Sequence, residues 1–123
     1  MANVMVVEDS PDARLLLRDL LEGLHHTVTE ANDGLEAVKM SLTNRPDLIV
    51  LDLMMPTASG DSALQFMRGT PELADIPVLV VSAHPDVAWI AKQHGADAWV
   101  SKPITIKELS QKVEAVLASK RKP

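Results

Sequence analysis

Residues 5–10 read MVVEDS, an apolar run that ends in two neighbouring acids and a serine. The apolar run, extended back to residue 3, predicts a buried strand over residues 3–7. Ser10 followed by Pro11 is typical of a helix N-cap and the first helical position. A buried strand that ends in two carboxylates needs a positive group beside them, because an unpaired buried charge is costly. The stretch therefore predicts a strand, an acidic site at its end, and a helix that begins at once.

The same alternation of strand and helix continues along the chain. Further strands are predicted at 27–31, 48–51, 78–81 and 98–100, and the helices after them at 34–42, 60–67 and 87–93. A fifth helix follows the T-x-x-E capping box formed by Thr105 and Glu108. Five strands that alternate with five helices predict an α/β fold. We expect a five-stranded parallel sheet of flavodoxin-like (βα)5 type, strand order 2-1-3-4-5, with helices on both faces.

Composition and charge narrow the class of protein. The 123 residues are 46% hydrophobic and 24% charged, which predicts a single globular domain with a core over about 3–118 and a basic tail at 119–123. A net charge of -5 argues against direct binding of nucleic acid, and the absence of cysteine excludes disulfides and thiolate metal sites. The sequence has neither an apolar run of membrane-spanning length nor a signal peptide, so we expect a cytoplasmic protein without a membrane partner. His25 and His26 are predicted turn residues.

Polar side chains follow four of the five predicted strands. They are Glu8 and Asp9 after strand 1, Asp52 after strand 3, Ser82 after strand 4 and Lys102 shortly after strand 5. Because the carboxyl ends of parallel strands meet at one edge of a sheet, we expect these side chains to converge. The sequence therefore predicts a pocket with three carboxylates, one hydroxyl and one ammonium group.

These groups suit phosphoryl transfer. Clustered carboxylates repel one another and favour a hard cation with oxygen ligands, for which Mg²⁺ is the best match. A cation that bridges Asp9 and Asp52 would orient and neutralise a phosphoryl group, which leaves Asp52 as a carboxylate nucleophile. Ser82 can donate a hydrogen bond to one phosphoryl oxygen, and Lys102 can pair with another.

With these residues in place, the chain closely resembles the receiver domains of two-component response regulators. The matching features are Glu8-Asp9, Asp52 followed by LMMP and Gly60, Ser82-Ala83, GAD at 95–97, and Lys102-Pro103. They occur in the family's order and span essentially the whole chain.

The resemblance implies roles for individual residues. Asp52 would be the phosphoacceptor, and Asp9, Asp52 and the backbone carbonyl of Met54 would be Mg²⁺ ligands, with Glu8 assisting through water. Ser82 and Lys102 would sense the phosphoryl group, and the Lys102–Pro103 peptide bond would be cis.

Trp99 occupies the position of the family's switch aromatic, where Tyr or Phe is usual, and its indole is bulkier. The stretch from Ser82 to Gly95 is shorter than the family pattern, so the fourth helix can differ from the family's in length and angle.

The resemblance also implies a histidine kinase or phosphotransfer protein as phosphodonor. The signal would leave through the surface of helix 4, strand 5 and helix 5 toward an output partner, and homodimerisation on phosphorylation is a further option. The chain would be a switch that takes part only in its own phosphorylation and dephosphorylation, and not an enzyme.

Three other functions are compatible with parts of the pattern. An aspartyl-nucleophile phosphatase would usually carry a second acid two residues after the nucleophile, where Met54 stands. A nucleotide- or flavin-binding module on the same fold would have a glycine-rich loop after strand 1, where this chain has acids. A phosphorylation-independent, receiver-like interaction domain would more naturally have lost one of the five pocket residues, all of which are present.

Overall fold

The computed structural model describes residues 2–52 and 60–120, except for the side chains of residues 60–63 and 120. Strands and helices alternate along the described chain. They are β1 (Asn3–Val7), α1 (Pro11–Gly23), β2 (Thr27–Ala31), α2 (Gly34–Thr43), β3 (Leu48–Asp52), α3 (Gly60–Gly69), β4 (Val78–Ser82), α4 (Val87–Gln93), β5 (Ala98–Ser101) and α5 (Ile106–Lys120).

The five strands form one parallel sheet in the order β2-β1-β3-β4-β5, which confirms the predicted fold class. In the register between β1 and β3, Val7 lies opposite Leu51. The residues that follow this pair, Glu8 and Asp52, therefore meet at the carboxyl edge of the sheet. Between β4 and β5, Ser82 lies opposite Ser101, which brings Lys102 to the same edge.

Helices cover both faces of the sheet, and because alternate residues of each strand point to opposite sides, the strands contribute to two separate cores. Val4, Val6, Leu48 and Val50 belong to a core that also contains apolar residues of α1 and α5. Their strand neighbours belong to a second core, completed by apolar residues of α2, α3 and α4; from β1 and β3 these are Met5, Val7, Ile49 and Leu51. Two apolar layers fix the sheet in place and leave its carboxyl edge for polar residues.

The helix ends have identifiable causes. The Ser10 hydroxyl accepts a hydrogen bond from the Ala13 amide at 3.4 Å, and Pro11 is the first residue of α1. The Thr105 hydroxyl accepts from the Glu108 amide at 3.2 Å, which is the threonine half of the predicted capping box. Beyond α4 the chain reverses at Gly95, whose φ of 80° suits a glycine.

Several element bounds and one residue differ from the sequence-based expectations. α2 ends at Thr43 and α3 at Gly69, one and two residues beyond the prediction. β3, β4 and β5 each extend one residue further, so Asp52 and Ser82 are the last residues of their strands. α5 continues to Lys120, so the first two residues of the predicted tail are helical.

The prediction for His26 was wrong, because the turn comprises Leu24 and His25 and His26 follows it. The His26 side chain is buried, and its Nδ1 accepts the Ala2 amide hydrogen at 3.1 Å. His25, with a φ of 71°, is the residue that makes the turn.

Candidate functional site

Three carboxylates meet at the carboxyl edge of the sheet. One oxygen from each of Glu8, Asp9 and Asp52 lies within 4.8 Å of the others. Glu8 and Asp52 are almost fully buried, at 2% and 5% exposure, whereas Asp9 is exposed. The cluster is therefore shielded by protein on one side and open to solvent on the side of Asp9.

Lys102 provides the positive charge that the buried carboxylates at the ends of β1 and β3 require. Its Nζ lies 3.2 Å from Glu8 Oε1 and 3.5 Å from Asp52 Oδ2. The side chain is 30% exposed, so the ammonium group reaches the carboxylates from the rim of the pocket. The Lys102–Pro103 peptide bond is cis.

The charge balance of the cluster perturbs the pKa of two groups. Burial raises the pKa of Glu8 to about 7, helped by a hydrogen bond and charge repulsion from Asp52 and opposed by hydrogen bonds from the Ser10 amide and Lys102. Burial by itself lowers the pKa of Lys102, but attraction to Asp52 and Glu8 outweighs it, and the net direction is upward. One ammonium group does not fully balance three carboxylates. The site thus retains an excess of negative charge that a cation or a proton would relieve.

Ser82 is fully buried at the end of β4. Its Oγ accepts a hydrogen bond from the His84 amide at 3.1 Å, so the hydroxyl hydrogen is still available as a donor. The Ser82 carbonyl accepts the Lys102 amide hydrogen at 3.0 Å, which couples the ends of β4 and β5. A movement of Ser82 would therefore displace the backbone of Lys102 through this hydrogen bond.

Trp99 lies on β5 opposite Val80, away from the carboxylate cluster along the strand. The residue is half-buried and packs against the core that α2, α3 and α4 cover. Lys92 Nζ of α4 and Lys112 Nζ of α5 lie 5.4 Å and 5.7 Å from the centroid of the indole ring. The indole thus joins the two helices that flank β5.

One contributor to the site was missed in the sequence. Arg14 of α1 donates from Nη1 to the backbone carbonyl of Glu8 at 2.8 Å and from Nε to Glu30 at 3.0 Å. Arg18 also pairs with Glu30, at 2.6 Å. Arg14 therefore holds the acidic turn against β2. The contact joins three separate elements, so local spacing carried no signal of it.

The predicted Met54 ligand, together with the LMMP stretch, lies outside the described residues. The other residues expected at the edge of the sheet, namely Glu8, Asp9, Asp52, Ser82 and Lys102, are all there in the structure.

The sequence model of the family described as response regulator receiver domain matches residues 4–114. The chain belongs to this family. Receiver domains are the signalling switches of two-component systems, in which they pair with histidine kinases, and they are not generally catalytic enzymes. The family typically binds Mg²⁺ at an acidic pocket, and Glu8, Asp9 and Asp52 form such a pocket in this receiver.

Relatives of this receiver include both short and long proteins. The polar-differentiation response regulator DivK of Brucella anthropi is 34% identical over 118 residues, which cover 94% of this chain and 95% of DivK. The sensor histidine kinase TmoS of Ectopseudomonas mendocina is 36% identical over 119 residues, which cover 95% of this chain but only 12% of TmoS.

Solved structures share the fold. The chemotaxis protein CheY4 of Vibrio cholerae superposes with a TM-score of 0.86 at 28% identity, covering 94% of this chain and 98% of CheY4. A response regulator of Chloroflexus aurantiacus superposes with a TM-score of 0.90 at 26% identity, covering 95% and 98% of the two chains. Within residues 2–52 and 60–120, no helix is long and apolar enough to cross a membrane.

Proposed function

We propose that this receiver accepts a phosphoryl group on Asp52 from a histidine kinase or phosphotransfer protein and thereby changes its surface at α4, β5 and α5. The observation that carries the proposal is the cluster of three carboxylates within 4.8 Å of one another, with the Lys102 ammonium group beside two of them. Because carboxylates repel an anionic phosphoryl group, such a cluster can accept one only when its own negative charge is neutralised.

The donor set fits Mg²⁺. Carboxylate oxygens are the ligands that this hard cation prefers, and the excess negative charge that helps to raise the pKa of Glu8 is the charge that it would offset. Asp9, Asp52 and the Met54 carbonyl would hold the ion, with Glu8 acting through water. When bound, Mg²⁺ supplies charge neutralisation for the transferring phosphoryl group.

The residues of the chain then divide the chemical work. A carboxylate oxygen of Asp52 attacks the phosphorus of a phosphohistidine, and the new O–P bond forms as the P–N bond breaks. The imidazole leaves with the electron pair and takes a proton from water. Lys102 pairs with one oxygen of the phosphoryl group, and the Ser82 hydroxyl donates to another. The product is an aspartyl phosphate on residue 52.

Signal output would begin at Ser82. A hydroxyl drawn toward the phosphoryl group vacates space at the end of β4, and Trp99 on the neighbouring strand can turn inward to occupy it. Burial of an indole gains on the order of a few kcal/mol, which is enough to bias a two-state side chain. We further infer that residues 1–123 act as one receiver in the cytoplasm. Homodimerisation on phosphorylation stays a prediction.

The test is the intact mass after incubation with Mg²⁺ and acetyl phosphate. We expect one phosphoryl adduct that is stable in acid and labile in base, that EDTA suppresses, and that Asp52→Asn abolishes. Asp19→Asn, which removes an exposed carboxylate of α1, is the matched control and should keep the adduct. An adduct of equal yield in Asp52→Asn would refute the assignment.

A further inference from the structure

The side chain of Arg14 joins the acidic turn after β1 to β2, the edge strand of the sheet. Its Nη1 donates to the backbone carbonyl of Glu8 at 2.8 Å, and its Nε donates to Glu30 Oε1 at 3.0 Å. The side chain is only 15% exposed, so protein atoms surround most of it. Because the guanidinium group is planar and its donors point in fixed directions, the two hydrogen bonds set the position of this carbonyl relative to β2.

The Glu8 carbonyl belongs to the peptide group that leads into Asp9, the exposed member of the carboxylate cluster. A peptide group is planar, so a donor that fixes this carbonyl also fixes the orientation of the Asp9 amide. The neighbouring backbone is held as well, because the Glu8 amide donates to the Ala31 carbonyl at 3.2 Å and the Ser10 amide donates to Glu8 Oε2 at 3.3 Å. Arg14 thus completes a set of hydrogen bonds that hold the chain on both sides of Asp9.

Arg14 and Lys102 act on the cluster in different ways. Lys102 pairs with two of its carboxylates and offsets their charge. Arg14 reaches the turn only at a backbone carbonyl, and its ion pair is with Glu30, a carboxylate of β2 that Arg18 also binds at 2.6 Å. The effect of Arg14 on the cluster is therefore geometric, whereas that of Lys102 is electrostatic.

We propose that Arg14 is a positioning residue for Mg²⁺: by holding the Glu8 carbonyl, it keeps the Asp9 carboxylate beside Asp52, where the two can share the ion. Without that hydrogen bond the turn adopts further orientations, and the cost of ordering it again on binding lowers the affinity for the cation. The proposal rests on the proposed function in taking Asp9 and Asp52 as the ligands.

A purely structural role is the alternative, since the same contacts attach α1 to β2. Arg18 separates the two possibilities. It lies one turn further along α1 and binds the same Glu30 carboxylate, and its other hydrogen bond in the described part of the chain goes to Glu22. Loss of Arg18 weakens the attachment of α1 to β2 but leaves the hydrogen bond to the Glu8 carbonyl in place. Arg18→Gln is therefore the matched control.

The experiment measures the Mg²⁺ dissociation constant of the full chain from the rise of its melting temperature with MgCl₂ concentration. We expect Arg14→Gln to raise the dissociation constant about tenfold, a loss typical of residues that orient a metal ligand. Arg18→Gln should stay within about twofold of the wild type, because it loses only ion pairs near the surface. Arg14→Lys should fall between these two variants, since one ammonium group can reach the carbonyl or Glu30 but does not hold both in a fixed geometry.

Phosphorylation by acetyl phosphate, followed by intact mass at a series of Mg²⁺ concentrations, separates positioning from chemistry. In Arg14→Gln the Mg²⁺ concentration that gives half the maximal rate should rise about tenfold, in step with the dissociation constant. The rate at saturating Mg²⁺ should stay within about twofold of the wild type, because Arg14 does not take part in the attack by Asp52.

Equal dissociation constants in Arg14→Gln and the wild type would overturn the proposal. Equal losses in Arg14→Gln and Arg18→Gln would also overturn it, because they would show a structural effect. A wild type whose melting curve Mg²⁺ leaves unmoved would overturn it together with the metal site. A wild type that binds Mg²⁺ but forms no phosphoryl adduct would contradict the proposed phosphoryl transfer alone, and the dissociation constants would still decide the role of Arg14.

Discussion

Replacing Asp52 by Asn should stabilise the protein in the absence of Mg²⁺, although it removes the residue proposed to carry out the chemistry. The carboxylates of Glu8, Asp9 and Asp52 lie within 4.8 Å of one another. At that distance, with an effective dielectric constant of about 20, two unit charges repel by about 3.5 kcal/mol. The Lys102 ammonium group, 3.5 Å from Asp52, attracts it by about 4.7 kcal/mol on the same scale.

Above about pH 7, where Glu8 is ionised, the substitution therefore relieves the repulsion from Glu8 and Asp9 and loses the attraction to Lys102, which leaves a net gain of about 2 kcal/mol. Because Asp9 is exposed and its interaction with Asp52 is screened by solvent, about 1 kcal/mol is the expected increase in the free energy of unfolding. For a chain of this length, that gain corresponds to a rise in melting temperature of about 4 °C.

Thermal melting and urea unfolding in EDTA measure the effect, with Asp19→Asn as the control for loss of an exposed carboxylate. Millimolar Mg²⁺ should raise the melting temperature of the wild type through binding to the folded state, and it should raise that of Asp52→Asn less. A metal-free Asp52→Asn protein that is less stable than the wild type would refute the charge argument. An unchanged wild-type melting curve in Mg²⁺ would refute the metal site.

Three further predictions concern switching and stability. Ser82→Ala should accept a phosphoryl group at Asp52 but lose most of the change that phosphorylation causes in partner binding; equal partner binding by the phosphorylated variant and wild type would contradict this role. In Trp89→Phe, where Trp99 is the only indole, beryllofluoride with Mg²⁺ should shift the emission and its accessibility to quencher, and an unchanged signal would make Trp99 a packing residue. Burial lowers the pKa of His26 in the folded protein. As the pH falls below about 6.5, this imidazole is therefore protonated in the unfolded chain before it is protonated in the folded one. The free energy of unfolding should therefore fall between about pH 7.5 and about pH 5.5 more steeply in the wild type than in His26→Gln, and equal slopes would contradict this.

The fold could be predicted because each strand and helix has a recognisable pattern of apolar, capping or turn residues within a short stretch of sequence. The bounds of β1 and β2 follow from their apolar and β-branched runs and agree with the prediction. β3 and β4 were predicted one residue short, because a polar residue at the end of an apolar run can belong to either the strand or the loop. Asp52 and Ser82 remain in the ladder, and this position holds their side chains at the edge of the sheet.

What the sequence did not predict depends on contacts between distant elements. Burial of His26 follows from its hydrogen bond to the Ala2 amide at the start of β1, and Arg14 reaches both Glu8 and Glu30. The placement of Lys92 and Lys112 by Trp99 requires the packing of two helices on β5. Such pairings are set by the tertiary arrangement and leave no trace in local spacing.

Chemical identification of the phosphorylated residue tests directly whether Asp52 accepts the phosphoryl group. After incubation with acetyl phosphate and Mg²⁺, borohydride reduces an acyl phosphate to an alcohol, and peptide mapping by mass spectrometry then locates the modified residue. We expect homoserine at position 52 and unmodified Glu8 and Asp9. Reduction at Asp9 or Glu8 in place of Asp52, or a phosphorylated peptide that resists borohydride, would contradict this assignment.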